Sequence, residues 1–339
     1  MTQLDFALGR HEVILREPFV TALRTVDRYP VITYTISDDK NVRGVGECVA
    51  TPAIVGDSID VIENDLKEII SPALSEIEAF EEGVEILRSI DAASSSIAAA
   101  DIALHSFFAN KFGFSLGQFL GSKAVTIKSD VTIPIAEPED LERILQDRIS
   151  QGFSTFKIKL GAEDLKINLA KMNQISSLAG ANTALRVDPN QAWDFEYSKS
   201  FLEELARANI EIEYLEQPVG RNRVKDLAAL SALHLSPIMA DESLFTLDDL
   251  DLLIKLKACS WVNIKLLKSG GIAPAKAIAE RAIENSLKVS IGSMMEGSGG
   301  VMAAALLAAS LAPEVVHDLD AAWWHKDSQV EYFGGELAL

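Results

Sequence analysis

The sequence predicts an α/β fold: a modified (β/α)7β barrel of the TIM type with an N-terminal α+β capping domain. Three observations predict it. From about residue 124 onward, short apolar strands recur roughly every 22 to 30 residues, each followed by an amphipathic helix. Polar residues stand at the C-terminal end of one such strand after another, where barrels of this kind carry their chemistry. The first third lacks that rhythm and reads as two strands followed by helices. The domain boundaries that follow are 1–120 for the cap, completed by a tail at 325–339, and 121–324 for the barrel.

The elements run in this order. "YPVITYTISDDKNVRGVGECVA" (29–50) reads as two strands joined by a polar turn, and helices follow over 58–81 and 84–112. The second is Ala-rich, apolar on most faces and ends near Gly113. The barrel strands are expected near 128–134, 155–160, 184–190, 212–218, 237–243, 261–267, 288–294 and 315–320. An open doubly wound sheet would compete, but no G-x-G-x-x-G turn follows a first strand. The run "VMAAALLAASLA" (301–312) is too short to span a bilayer and reads as a buried helix.

Composition narrows the partners. The 339 residues carry a net charge of −19 and no basic run, which excludes nucleic acid, whose phosphates need clustered Lys and Arg. Cys48 and Cys259 lack metal-ligand spacing and read as two reduced thiols of a cytoplasmic protein. The start, "MTQLDFALGRHEV", shows no signal peptide, and no membrane association is expected.

The strand ends suggest a reaction. In "FKIKL", Lys157 and Lys159 share a face by alternation, while Phe156, Ile158 and Leu160 fill the other, so both lysines point to the barrel axis. Two neighbouring cations in a partly dry site are expected to depress each other's pKa, which makes a lysine a usable base. Asp188, Glu216 and Asp241 come from successive strand ends, 28 and 25 residues apart. Three convergent carboxylates repel unless a cation joins them, and an all-oxygen set suits Mg²⁺. "WVNIKLLKSGG" then supplies Lys265 facing inward with Asn263, and Lys268 in the loop beyond. A closed barrel puts Lys159 and Lys265 on nearly opposite walls with the metal between. One lysine would take a proton from the carbon beside a substrate carboxylate and the other return one to the opposite face, giving racemisation or epimerisation.

The ordered set "KIK", "VDPNQAW", "EQP", "ADES", "NIKLLKSGG" and "GSMMEGS" resembles the enolase superfamily, specifically its muconate lactonizing enzyme subgroup, over nearly the whole chain. That resemblance implies Lys159 and Lys265 as the acid/base pair acting through a metal-stabilised enolate, with Lys157 positioning Lys159 and neutralising the enolate. It implies one Mg²⁺ per subunit on Asp188, Glu216 and Asp241, and a homo-oligomer. The mandelate racemase subgroup uses a His-Asp dyad; Lys265 stands there instead and position 296 is a Glu, which excludes that subgroup. Pro189 departs from the alanine of many relatives, with little expected effect on Asp188.

Within the subgroup, "HDLDAAWW" decides the substrate. Asp318 and Asp320 share a face by alternation and would clamp a free ammonium, a purpose that lactone or succinylbenzoate substrates do not supply. This D-x-D resembles that of dipeptide epimerases. "TALRTV" places Arg24 where similar enzymes meet a glutamate side chain, and "TPAIVGDS" (51–58) resembles their second capping loop, a lid over the substrate. Thr132 and the backbone at 293–295, including Met294, are expected to touch the dipeptide, whereas Trp323 and Trp324 are expected to pack. The expectation is a Mg²⁺-dependent dipeptide epimerase of L-Ala-L-Glu/L-Ala-D-Glu, connected by family context to cell-wall peptide recycling. The alternatives are hydrophobic or broad second-residue specificity, or another subgroup reaction: o-succinylbenzoate synthase, N-acylamino acid racemase or cycloisomerase.

Overall fold

β1 (Asp5–Val20) pairs antiparallel with β2 (Thr25–Ser37), and β2 with β3 (Arg43–Cys48). The computed structural model describes residues 4–22, 25–180 and 182–339. The sequence does not announce β1. Many of its positions are exposed, so the apolar alternation that marks a half-buried strand is faint.

Next comes one rod made of α1 (Ile59–Asn64), a π-helical stretch (Asp65–Ile70) and α2 (Ser71–Leu74), then α3 (Phe80–Ser89), α4 (Ser94–Lys111) and α5 (Leu116–Leu120). The two helices expected over 58–81 and 84–112 are therefore broken differently. The cause of the second break is Asp65, whose carboxylate accepts the Ala93 amide at 2.8 Å and the Ser96 hydroxyl at 3.0 Å, fixing a new helix start. α4 lies against β3 at very close range. A Cβ on Gly46 would stand 1.9 Å from the Ala99 carbonyl oxygen, so only glycine fits there.

The barrel follows. Its strands are β5 (Val131–Ile133), β6 (Thr155–Lys159), β7 (Ala184–Asp188), β8 (Tyr214–Glu216), β9 (Ile238–Ala240), β10 (Trp261–Lys265) and β11 (Lys288–Gly292), all parallel and neighbouring in that order. The helices between and after them are α6 (Pro138–Ser150), α7 (Leu165–Ala179), α8 (Phe195–Arg207), α9 (Val224–Ser231), α10 (Leu247–Leu256), α11 (Leu266–Ser269), α12 (Ile272–Glu284) and α13 (Ser298–Leu311). The apolar run at 301–312 becomes the buried α13. The strand expected over 128–134 is split at Asp130. Its first part, β4 (Thr126–Ser129), joins a separate small sheet, where it pairs with β12 (Val316–His317) and with β14 (Glu336–Ala338) of the β13 (Tyr332–Phe333) hairpin. A bridge from Asp318 to Gly292 ties the β12 segment to β11 and brings the last strand end to the barrel mouth. The tail thus pairs with the barrel at β4, while His325 reaches the cap through a 2.8 Å bond to the Tyr29 hydroxyl.

Cap and barrel each have an apolar core, and barrel residues Leu267 and Met294 are packed into that of the cap. Two carboxylates of the cap bind barrel helix starts, where unpaired amides carry partial positive charge. Asp101 accepts from the Ile272 and Ala273 amides at 2.5 and 3.2 Å, and Glu47 from the Gly299 amide at 2.8 Å. A Cβ on Gly271, whose φ is +114°, would lie 2.5 Å from Asp101. Among the described residues no helix is long and apolar enough to cross a membrane.

Candidate active site

The strands end where the chemistry was expected. Lys159, Asp188, Glu216 and Lys265 are the last residues of β6, β7, β8 and β10, and Asp241 follows β9 directly. Their side chains are buried within the barrel mouth. A cavity there is lined by Lys157, Lys159, Asp241 and Lys265 from the barrel wall, by Asp318 and Asp320 after β12, and by Thr132 and Met294. The cap closes its far side with Phe19, Thr21 and the loop residues Thr51, Ala53 and Ile54.

Lysines and carboxylates interleave across this mouth. Lys157 Nζ lies 2.9 Å from Glu216 Oε1, 2.9 Å from Asp318 Oδ2 and 3.2 Å from Asp188 Oδ2. Lys159 Nζ donates to Asp188 Oδ2 at 2.5 Å. Lys265 Nζ donates to Asp241 Oδ2 at 2.9 Å and stands 3.6 Å from Asp318 Oδ2. Lys268, placed by sequence merely in the loop, is buried and donates to Asp241 Oδ1 at 2.5 Å. The expected mutual depression of Lys157 by its neighbour is overturned. Burial does oppose its charge, but Asp318, Glu216 and Asp188 outweigh burial and hold it well above the usual lysine range. Lys265 is likewise raised, burial being outweighed by Asp241 and Asp318. For Asp241, burial is overcome by Lys265 and Lys268, which hold it well below the usual carboxylate range.

The oxygen set fits a hard divalent cation. Glu216 Oε2 accepts no well-directed hydrogen bond although Lys157 lies 2.9 Å away, and nearby Asn190 Oδ1 and Glu242 Oε2 are buried without partners. Burial, together with the neighbouring Asp188 and Asp241, pushes Glu216 up to about 7 despite Lys157. Burial beside Asp241 and Asp188 pushes Glu242 up to about 8. Surplus buried carboxylate oxygens, with no sulfur or imidazole among them, are what Mg²⁺ takes.

A second acidic group was only half legible. Oxygens of Asp130, Asp318 and Asp320 lie within 4.8 Å of one another, the arrangement closest to a ready cation site among the described residues. Asp130, at the break between β4 and β5, gives one oxygen to Arg186 at 2.7 Å and leaves the other unpartnered. Asp318 Oδ2 also accepts from Asn263 Nδ2 at 2.8 Å. Asp320 Oδ2 accepts the Thr132 amide at 2.7 Å and the Trp324 indole N–H at 3.0 Å, so Trp324 orients a site carboxylate as well as packing. Asp320 is raised by burial and by Asp318, whereas burial of Asp318 is outweighed by Lys157 and Lys265 and its pKa is lowered. His317, within the same motif, is structural. Its Nδ1 accepts the Ile291 amide at 3.0 Å and its Nε2 faces the Ala312 carbonyl at 3.0 Å.

The role of Gln217 escapes the sequence reading. Gln217 Oε1 accepts the amides of Asp241 and Ser243 at 3.0 and 3.1 Å, and its own carbonyl accepts the Gln191 amide at 2.9 Å. Gln217 thereby ties together the three loops that follow Asp188, Glu216 and Asp241. Asn190, Gln191 and Gln217 all hold positive φ (45°, 68° and 34°), backbone strain of the kind that gathers at functional sites. Arg24, expected at the far end of a substrate, lies outside the described residues.

Residues 6–121 match the N-terminal domain of the mandelate racemase/muconate lactonizing enzyme family, and residues 140–338 match the enolase C-terminal domain-like family. The chain is 33% identical over 316 residues to the L-Ala-D/L-Glu epimerase of Bacillus subtilis, covering 92% of this chain and 86% of that one. The structure of that enzyme's substrate-liganded complex superposes with a TM-score of 0.96 at 31% identity, over 100% of this chain and 96% of that one. The dipeptide epimerase of Enterococcus faecalis, solved with Mg and L-Leu-L-Tyr, gives 0.93 at 28% identity, covering 100% and 97%. The N-succinyl-L-Arg/Lys racemase of Bacillus cereus is 30% identical over 292 residues, 84% of this chain and 78% of that one. The acid-rich barrel mouth and these matches make the protein an isomerase of the racemase/epimerase type. The chain belongs to the enolase superfamily, in its mandelate racemase/muconate lactonizing enzyme family.

Proposed function

We propose that the protein is a Mg²⁺-dependent epimerase of dipeptides, acting on the α-carbon of the C-terminal residue by proton transfer between two lysines. The observation that carries the dipeptide reading is the second acidic group: three carboxylates within 4.8 Å, two of them lining the cavity, favour a substrate with a free ammonium. Asp188, Glu216 and Asp241 would hold the cation, which would supply Lewis-acid stabilisation of charge on a substrate carboxylate. Lys159 and Lys265 would exchange the proton. They come from β6 and β10, four strands apart around the barrel, and so reach a bound carbon from opposite sides. Lys157, held protonated among three carboxylates, would add fixed positive charge next to the reacting carboxylate. Asp318 and Asp320 would hold the ammonium and so set the register of the dipeptide between the lysines.

The second residue of the substrate is left broader than a single pairing. Relatives of comparable similarity act on Ala-Glu, on hydrophobic dipeptides and on N-succinyl-Arg/Lys. L-Ala-L-Glu and dipeptides with apolar second residues are the substrates to try first, and an N-succinylamino acid is the second reading. Proton NMR in D₂O with Mg²⁺ compares L-Ala-L-Glu, L-Ala-L-Phe, L-Lys-L-Ala and an N-succinylamino acid. Loss of the α-proton signal with appearance of the other diastereomer for a free-amine dipeptide supports the proposal. Exchange of the N-succinyl compound alone overturns it in favour of an N-acylamino acid racemase.

A further inference from the structure

The cap wall of the cavity is a short loop with its own internal bonds. The Ile54 and Val55 amides both donate to the Thr51 carbonyl at 2.9 Å, and the Thr51 amide donates to Asp57 at 3.1 Å. Across the cleft, Arg221 Nη1 of the barrel donates to the Ile54 carbonyl at 3.3 Å. Arg221 stands five residues after Glu216 and is held by both its backbone and its side chain. Its amide donates to Gln191 Oε1 at 2.8 Å, and its carbonyl accepts the Ser243 hydroxyl at 2.7 Å. Its guanidinium stacks 4.8 Å from the Phe245 ring centroid. Gln191 follows Asp188 by three residues, and Ser243 and Phe245 follow Asp241 by two and four. The loops that carry the three strand-end carboxylates therefore meet at one residue, through its backbone and its stack on Phe245, and its side chain grips the cap loop.

We propose that Arg221 is a positioning residue that holds the 51–55 loop over the cavity and registers it against the three carboxylate-bearing strand ends. Only the kinetic part of its test rests on the dipeptide reading. The backbone bonds of residue 221 survive side-chain truncation, so Arg221→Ala releases the cap loop and leaves the barrel loops in place. One long, solvent-exposed hydrogen bond and one exposed cation–π contact are together worth about a factor of ten.

The experiment is hydrogen–deuterium exchange of the full chain, wild type against Arg221→Ala and Arg221→Lys, with steady-state kinetics on whichever substrate turns over. Exchange at the Ile54 and Val55 amides should rise roughly tenfold in Arg221→Ala, with segments 184–191 and 238–245 unchanged and Arg221→Lys in between. KM should rise by about the same factor and kcat change less, again with partial rescue by lysine. Unchanged protection at Ile54 and Val55 overturns the proposal, and so does an increase spread evenly over the barrel. Should the wild type turn over no dipeptide, the function proposed above falls while the exchange result still decides the role of Arg221.

Discussion

Two walls of the barrel mouth carry acids, and they are neutralised differently. On the wall built by β7, β8 and β9, each carboxylate has a lysine for a partner: Asp188 with Lys159, Glu216 with Lys157, Asp241 with Lys265 and Lys268. On the wall built by the β4–β5 break and the end of β12, Asp130, Asp318 and Asp320 lean on Arg186 from behind, on Lys157 and Asn263, and on two N–H donors. The first wall is a set of hard oxygens whose charge has to be balanced from within the site, which suits a small divalent ion. The second gathers close-packed negative charge, and its Asp318 and Asp320 line the cavity, which suits an ammonium. On the proposed reading, a substrate bridging the walls, with its carboxylate at one and its amine at the other, would be measured from end to end.

Breaking the first wall should have the largest effect. Chelation of divalent metal, or Glu216→Gln, should lower turnover by about a thousandfold or more, the scale of several kcal/mol of charge stabilisation. Added Mg²⁺ should restore the chelated wild type and raise its melting temperature but leave that of Glu216→Gln unmoved. Retained activity after exhaustive chelation would erase the distinction between the walls.

The second wall is pinned by His317, and its acid sensitivity sharpens the comparison. Burial lowers the His317 pKa to about 4, below the ordinary value of 6.5, with help from Arg186 and against the bond to the Ala312 carbonyl, which favours the charged ring. A group with a depressed folded pKa favours the folded state above its unfolded pKa. That contribution, roughly 3 kcal/mol, is lost as pH falls from about 6.5 through 4. Denaturant titrations at pH 7 and pH 4.5 should show a smaller loss of stability for His317→Gln than for the wild type. Equal losses would mean that His317 does not pin the wall.

A smaller effect is expected from Asp320→Asn. It keeps the shape and loses one charge, so KM for a free-amine dipeptide should rise about 10- to 100-fold, the worth of a charged hydrogen bond. KM for an N-acylated analogue should hardly move. Equal changes for both would show that this wall does not read the amine.

Most of the first wall is legible in the sequence, because Lys159, Asp188, Glu216 and Lys265 end strands whose rhythm repeats and Asp241 directly follows one. Strand alternation correctly turns Lys157 and Lys159 inward. The second wall is legible only as D-x-D. Asp130 hides in "KSDVTIP", which reads as one continuous strand, and the break that sets Asp130 beside Asp318 and Asp320 depends on pairing with β12 and β14 roughly two hundred residues away. The protonation state of Lys157 is misread for a related reason. Sequence shows its neighbour Lys159, whereas three carboxylates from other strands decide its charge. Gln217, which enters only as part of "EQP", and Arg221 are given no role by the sequence, since their roles are bonds between loops. β1 is lost because an exposed ribbon has little apolar pattern to show.

The most direct test of the two-walled site asks which lysine takes the proton from which epimer. Lys159→Ala and Lys265→Ala, with Mg²⁺, are each incubated in D₂O with the L,L and the L,D dipeptide, and α-deuterium is followed by NMR. Both variants should lose epimerisation, by 10²- to 10⁴-fold for a general acid/base residue. Each should still exchange the α-proton of one epimer, and the two should exchange opposite ones. Exchange of both epimers by a single variant, or of the same epimer by both, would contradict proton transfer from opposite sides of the bound carbon.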